Sequence, residues 1–93
     1  MPNFDSFEGI KINIYNGDHL PPHIHALYGD DEVLLVIETT DIYAGYLPAK
    51  PLKKAKDWLK QNRSDAATAF KTLNPQLYAG NKKTTQDPKR KNS

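Results

Sequence analysis

Residues 9–38 read GIKINIYNGDHLPPHIHALYGDDEVLLVIE, and their alternation decides the fold. In 9–15, Ile10, Ile12 and Ile14 fall on one side of an extended chain, and Lys11, Asn13 and Tyr15 fall on the other. A period of two is that of a half-buried strand. Asn16-Gly17-Asp18 then supplies a turn, because Asn and Gly tolerate positive φ. Pro21 and Pro22 have no N–H to give to a ladder, so they form a rigid approach to a second strand, His23 to Tyr28. Gly29-Asp30-Asp31 makes the next turn. Glu32 to Glu38 is rich in β-branched residues and apolar on both faces, which predicts the most buried strand. After Thr39-Thr40-Asp41, Ile42 to Leu47 forms a fourth, weaker strand. Connections this short pair consecutive strands antiparallel.

At Pro48 the period changes. Leu52, Ala55, Trp58 and Leu59 share one side of a helix that begins at Ala49, while Lys53, Lys56, Lys60 and Arg63 share another. Ser64-Asp65 reads as an N-cap with an acidic first turn, so a second helix runs to about Leu73 and buries Ala66, Phe70 and Leu73. Asn74-Pro75 ends it. The expected architecture is one α+β domain over residues 1–79: a four-stranded antiparallel β-meander followed by two helices packed on one sheet face. Residues 80–93, GNKKTTQDPKRKNS, contain no apolar side chain and are expected to be a disordered basic tail.

The bulk composition narrows the function. At 93 residues the chain has room for one small domain. It has no cysteine, which excludes disulfides and thiolate metal sites. No apolar run is long enough to span a bilayer, and MPNFDSFEGI lacks the basic and apolar regions of a signal peptide, so a cytoplasmic protein is expected. The net charge of +2 is unevenly spread. Residues 1–47 hold one cation, Lys11, against eight acids, a net −7; residues 48–93 hold twelve cations against three acids, a net +9. Either the two halves attract each other within the fold, or the basic half meets an acidic partner or nucleic acid.

All three histidines lie between Asp18 and Gly29. In an extended strand His23 and His25 point the same way, away from the core if Ile24 points into it, onto the face that carries Lys11, Asn13 and Tyr15. His19, on the turn, reaches only the edge of this patch. Whether the third strand adds Glu32 and Glu38 depends on its register. Three readings compete. Alternate strand histidines can aim at one metal ion, with a third ligand from His19 or a carboxylate, though two ligands alone hold a metal poorly and the spacing marks no dedicated third. A histidine can exchange protons at neutral pH, and Lys11 could neutralise a phosphate beside it. Or the histidines are structural, bonding the Asn16–Asp18 turn or a partner chain. The lysine stripe of Lys53, Lys56, Lys60 and Arg63 is by default a solvated face; with Tyr15 and Tyr28 it is the candidate binding surface for nucleic acid. The Lys89-Arg90-Lys91 run would add phosphate affinity without sequence selection. Trp58 reads as a core anchor between helix and sheet rather than a base-stacking platform.

Together these residues resemble a widespread bacterial family of small proteins catalogued as a domain of unknown function. The likeness rests on a Pro-Pro-His-x-His segment followed by Tyr-Gly, matched by Pro21, Pro22, His23, His25, Tyr28 and Gly29, and on the exit Gly45, Leu47, Pro48 before a Trp-bearing helix. It covers roughly residues 4–75, about the size of one small domain. Family members are often encoded beside a second small protein, an arrangement similar to a toxin–antitoxin pair, which implies a partner encoded nearby. The family's second helix often carries a further Trp, where this chain has Phe70.

The expectation is a small toxin-like component of a two-gene module, acting on RNA or another nucleic acid through His23, His25 and Lys11. The rival is a non-enzymatic interaction module, a homodimer or a complex with the neighbouring product, using apolar residues such as Leu34 and Val36 exposed on the open sheet face. A metal-dependent hydrolase, with a divalent ion at His23 and His25, is the third reading.

Overall fold

A computed structural model of the protein describes residues 3–79. Five strands, β1 (Asn3–Phe7), β2 (Ile10–Asn13), β3 (His23–Tyr28), β4 (Asp31–Val36) and β5 (Ile42–Gly45), form one antiparallel sheet in sequence order. Helices α1 (Ala49–Gln61) and α2 (Arg63–Leu73) follow, with a short α3 (Gln76–Ala79). The α+β class and the meander are as expected, but the sheet has five strands rather than four. The additional strand is β1. Glu8 and Gly9 both take positive φ, 49° and 79°, the geometry of a tight hairpin turn that folds Phe7 back onto Ile10. NFDSF has little apolar alternation of its own, because an edge strand is held by its neighbour's ladder. The basic tail expected for 80–93 lies outside the described residues.

The core sits on one sheet face. Ile10, Ile12 and Ile14, then Ile24 and Ala26, then Val33, Leu35 and Ile37 meet Ala55, Trp58 and Leu59 of α1 and Ala66 and Phe70 of α2. Fully burying one such side chain contributes about 1.5–3 kcal/mol. Trp58 is the anchor its position implies, its Nε1 donating to Asp5 Oδ2 of β1 at 2.8 Å. Pro51 falls in the first turn of α1, where its missing N–H has no helical partner to lose. The two helices break at Asn62, whose backbone and side-chain N–H groups donate to carbonyls of the last turn of α1. Asn62, not Ser64, therefore flanks the start of α2, and Ser64 lies exposed inside the helix. Leu73, expected in the core, is 36% exposed.

Long-range hydrogen bonds at both ends dock α2 on the sheet. Arg63 Nε donates to the Ile37 carbonyl at 2.8 Å. At the other end Asn74, fully buried, donates through Nδ2 to the Tyr15 and Phe70 carbonyls and accepts the Asp18 N–H at Oδ1.

Candidate functional site

The β2–β3 and β3–β4 registers place Asn13 opposite His25 and His25 opposite Leu34, on the sheet face away from the helix-packed core. Gly29, at φ 60°, lies in the two-residue loop that pairs Tyr28 with Asp31 and Leu27 with Glu32. Glu32 is thereby brought diagonally beside His25, and its Oε2 lies 2.8 Å from His25 Nδ1. A carboxylate only accepts, so with Glu32 ionised Nδ1 carries the hydrogen. His23 behaves in the same way: its Nδ1–H donates to the Pro21 carbonyl at 2.7 Å.

With both Nδ1 atoms turned outward, both Nε2 atoms converge. They lie 3.0 Å (His23) and 3.1 Å (His25) from one oxygen, Asp18 Oδ2. Asp18 is held there by Asn74 behind it and by the His19 N–H on its Oδ1 at 2.9 Å. Asp18, His23 and His25 offer ligand-type atoms all within 4.8 Å of one another. They could hold a metal ion or share protons. Burial pushes the Asp18 carboxyl up. The hydrogen bond from His25, the His19 backbone N–H and the charges on His23 and His25 outweigh it and hold the carboxyl below its ordinary value.

Aromatic rings wall the cluster. Tyr15 meets His25 edge-on with ring centroids 4.5 Å apart, and its hydroxyl accepts from Asn13 Nδ2. Tyr43 of β5 and Phe70 of α2 lie 5.5 and 5.7 Å from the His23 ring. His23 is therefore not an outward-facing strand histidine: its side chain is fully buried, while His25 keeps a small opening at 14% exposure. Among the described residues, His23 Nε2 and Asn13 Oδ1 are buried side-chain atoms on this face that find no hydrogen-bond partner. The contact from His23 to Asp18 is close, but it falls outside hydrogen-bonding directions.

Of the residues expected at a site, the fold unites His23, His25 and Tyr15. Lys11 shares their face but is exposed two positions along β2 from Asn13, opposite Leu27. His19 borders the cluster with its side chain 63% exposed and Nε2 3.7 Å from Asp18. Tyr28 is at the far end of β3, paired with Ile10 and Asp31. Lys53, Lys56 and Lys60 ride on α1, with the sheet between them and the histidine face, and Lys53 pairs with Asp57. Arg63 is engaged by Ile37. Sequence reasoning placed Asn13 on this face and the Asn16–Asp18 turn within reach of the histidines, but missed Asp18 as the specific carboxylate, Asn74, Tyr43 and Phe70, together with the orienting role of Glu32. Glu32 alone had a legible signal, since a two-residue loop at Gly29-Asp30 sets its register.

Leu34 and Val36 are half-buried on this face, not openly exposed. Exposed apolar side chains cluster instead on and after the edge strand, at Ile42, Tyr43 and Tyr46, with Leu20 on the loop before β3 and single ones at Phe4, Tyr28 and Leu73.

Fold and cluster together define a small α+β protein with a histidine–carboxylate site at the start of β3, closed on one side by the C-terminal end of α2. The chain belongs to the family described as domain of unknown function DUF4160, which it matches over residues 9–71. No curated protein and no solved structure matches it. Among the described residues, no helix is long and apolar enough to cross a membrane.

Proposed function

We propose that this protein is a small cytoplasmic hydrolase of nucleic-acid phosphodiesters, RNA foremost, and the toxin-like member of a two-gene module. The observation that carries the reading is the convergence of two imidazole nitrogens and a carboxylate at one partly open point. Such a point activates a water. The water oxygen forms a new bond to phosphorus, the bond to the leaving sugar oxygen breaks, and the proton drawn from the water ends on that oxygen. A scheme with one histidine as acid and the other as base on opposite sides of a phosphate fits less well, because both Nε2 atoms lie close to the same oxygen. Lys11 is the cation on the cluster's own face and is the natural first contact for a phosphate. The α1 lysines lie beyond the sheet, so a nucleic acid touching both must wrap around its edge.

Expression of the wild-type chain and of an Asp18→Asn, His25→Ala variant in bacteria tests this. Growth arrest with RNA fragmentation is expected for the wild type and not for the variant. Equal growth of both strains with intact RNA would overturn it.

A second reading has its own observation. The outer edge of β5 is unpaired among the described residues, and Ile42, Tyr43 and Tyr46 are exposed there. An open edge with apolar side chains is a template for a further strand, from a second copy or from the neighbouring gene product. Light scattering that shows a monomer both alone and mixed with that product would dismiss it.

A further inference from the structure

We infer that Asp18, His23 and His25 are the protein ligands of a divalent transition-metal ion of the zinc class, which deepens the hydrolase reading by naming the cofactor of the same site. The two Nδ1–H groups are committed to the Pro21 carbonyl and to Glu32. A neutral imidazole with its hydrogen on Nδ1 presents a lone pair at Nε2. Both Nε2 atoms then lie beside Asp18 Oδ2, which is itself electron-rich, at 3.0 and 3.1 Å. Something positive belongs among these three atoms.

Protons alone serve it poorly. A proton on His25 Nε2 would point at Asp18 and make a hydrogen bond. A proton on His23 Nε2 would not, because the direction to Asp18 is wrong, and that nitrogen is left buried and without a partner. Protonating both would also put two cationic rings with centroids 5.1 Å apart around one carboxylate. A metal ion accepts all three lone pairs at once. Ligand bonds of about 2.0–2.2 Å in a tetrahedron set the ligand atoms about 3.3 Å apart. The two edges from Asp18, 3.0 and 3.1 Å, are within a few tenths of an ångström of that, and the third, between atoms within 4.8 Å of each other, closes by turning the imidazole rings.

The surroundings are those of a built site. Each ligating histidine needs an acceptor on its other nitrogen to hold its tautomer and raise its basicity. Pro21 and Glu32 are those acceptors. Asp18 and Glu32 give the face a negative charge that attracts a cation and repels a bare phosphate, and a bound dication reverses that sign. Two imidazoles and one carboxylate are a borderline donor set, suited to zinc and its neighbours rather than to magnesium or calcium. Three protein ligands leave a position for water, whose ionisation zinc brings close to neutral pH. The second unpartnered buried atom, Asn13 Oδ1, belongs to the residue directly across the ladder from His25, and it is an acceptor for a hydrogen of such a water.

The test uses the untagged full chain, stripped with chelator and titrated calorimetrically with zinc, with cobalt as a spectroscopic probe. One zinc per chain at micromolar affinity or tighter is expected, with the visible absorption of four-coordinate cobalt. Asp18→Ala and His25→Ala should abolish binding while circular dichroism stays that of the wild type. Glu32→Gln, which leaves the ligands in place, should weaken it about 10- to 100-fold. No zinc uptake by the wild type overturns the inference, and so does equal uptake by folded Asp18→Ala and His25→Ala chains. The hydrolase reading fails separately: zinc bound at the site with RNA left intact refutes only that reading. RNA cleavage that survives complete metal removal refutes only the metal.

Discussion

The backbone N–H of Asp18 donates to Oδ1 of Asn74 at 2.8 Å, across 56 positions of chain. This bond joins the far end of α2 to the loop that presents the carboxylate. The same amide donates to the Tyr15 carbonyl, so Asn74 clamps the loop on both sides of the Asn16-Gly17 turn. It is fully buried, and its replacement leaves partners without water to turn to. Asn74→Ala should cost about 2–3 kcal/mol in urea unfolding, from one or more stranded buried groups. It should also lower zinc affinity, because Asp18 loses its support. A change under about 0.5 kcal/mol, the level of an ordinary surface substitution, would contradict the clamp.

Gly45 exerts a second remote hold on the site. Its φ is +84°, and a Cβ there would stand 2.2 Å from the Glu32 carbonyl oxygen. Backbone cannot move aside as a flexible side chain can. Gly45→Ala should therefore destabilise by about 2 kcal/mol or more, through strain and displaced β4–β5 pairing. The displacement reaches Glu32, so the His25 ring should lose order as well. Thermal unfolding together with the His25 ring resonances checks both effects.

The metal-free protein should lose stability on the acid side, and Asp18 should account for part of that loss. Burial opposes its ionisation, but the His25 hydrogen bond, the His19 N–H and the two histidine charges prevail and depress its value in the folded state. A carboxyl depressed on folding contributes stability that is fully present above its unfolded value of about 3.9. That contribution is lost as pH falls through the lower folded value. Unfolding free energies measured with chelator present, from about pH 6 down to pH 2, should fall less steeply for Asp18→Asn than for the wild type. Identical slopes would show that the depression is not felt.

Arg63 counts among the candidate phosphate-binding cations, yet its Nε is committed to the Ile37 carbonyl. Arg63→Lys keeps the charge but not this planar donor. It should cost about 1 kcal/mol of stability while leaving nucleic-acid affinity and its salt dependence unchanged. A fall in affinity with no change in stability would return Arg63 to the binding surface.

The local parts of this protein were legible in the sequence. The alternation in GIKINIY and HIHALY requires strands whose isoleucines face a core, and that alone aligns His23 with His25. The switch to helical spacing at Pro48 sets α1, and Trp58 falls where its ring must be buried. These are properties of residues within a few positions of one another, decided by sterics and period. What the two histidines meet was decided by tertiary structure. Asp18 is placed by Asn74 at the end of α2, Glu32 by hairpin register, and the Tyr43 and Phe70 walls by β5 and α2. β1 exists because a hairpin turn delivers a polar segment to a ready ladder. No periodicity carries such information, since each contact depends on closing a loop whose ends are brought together by packing elsewhere. The sequence places two histidines on one face, and only the closed fold sets a carboxylate between them.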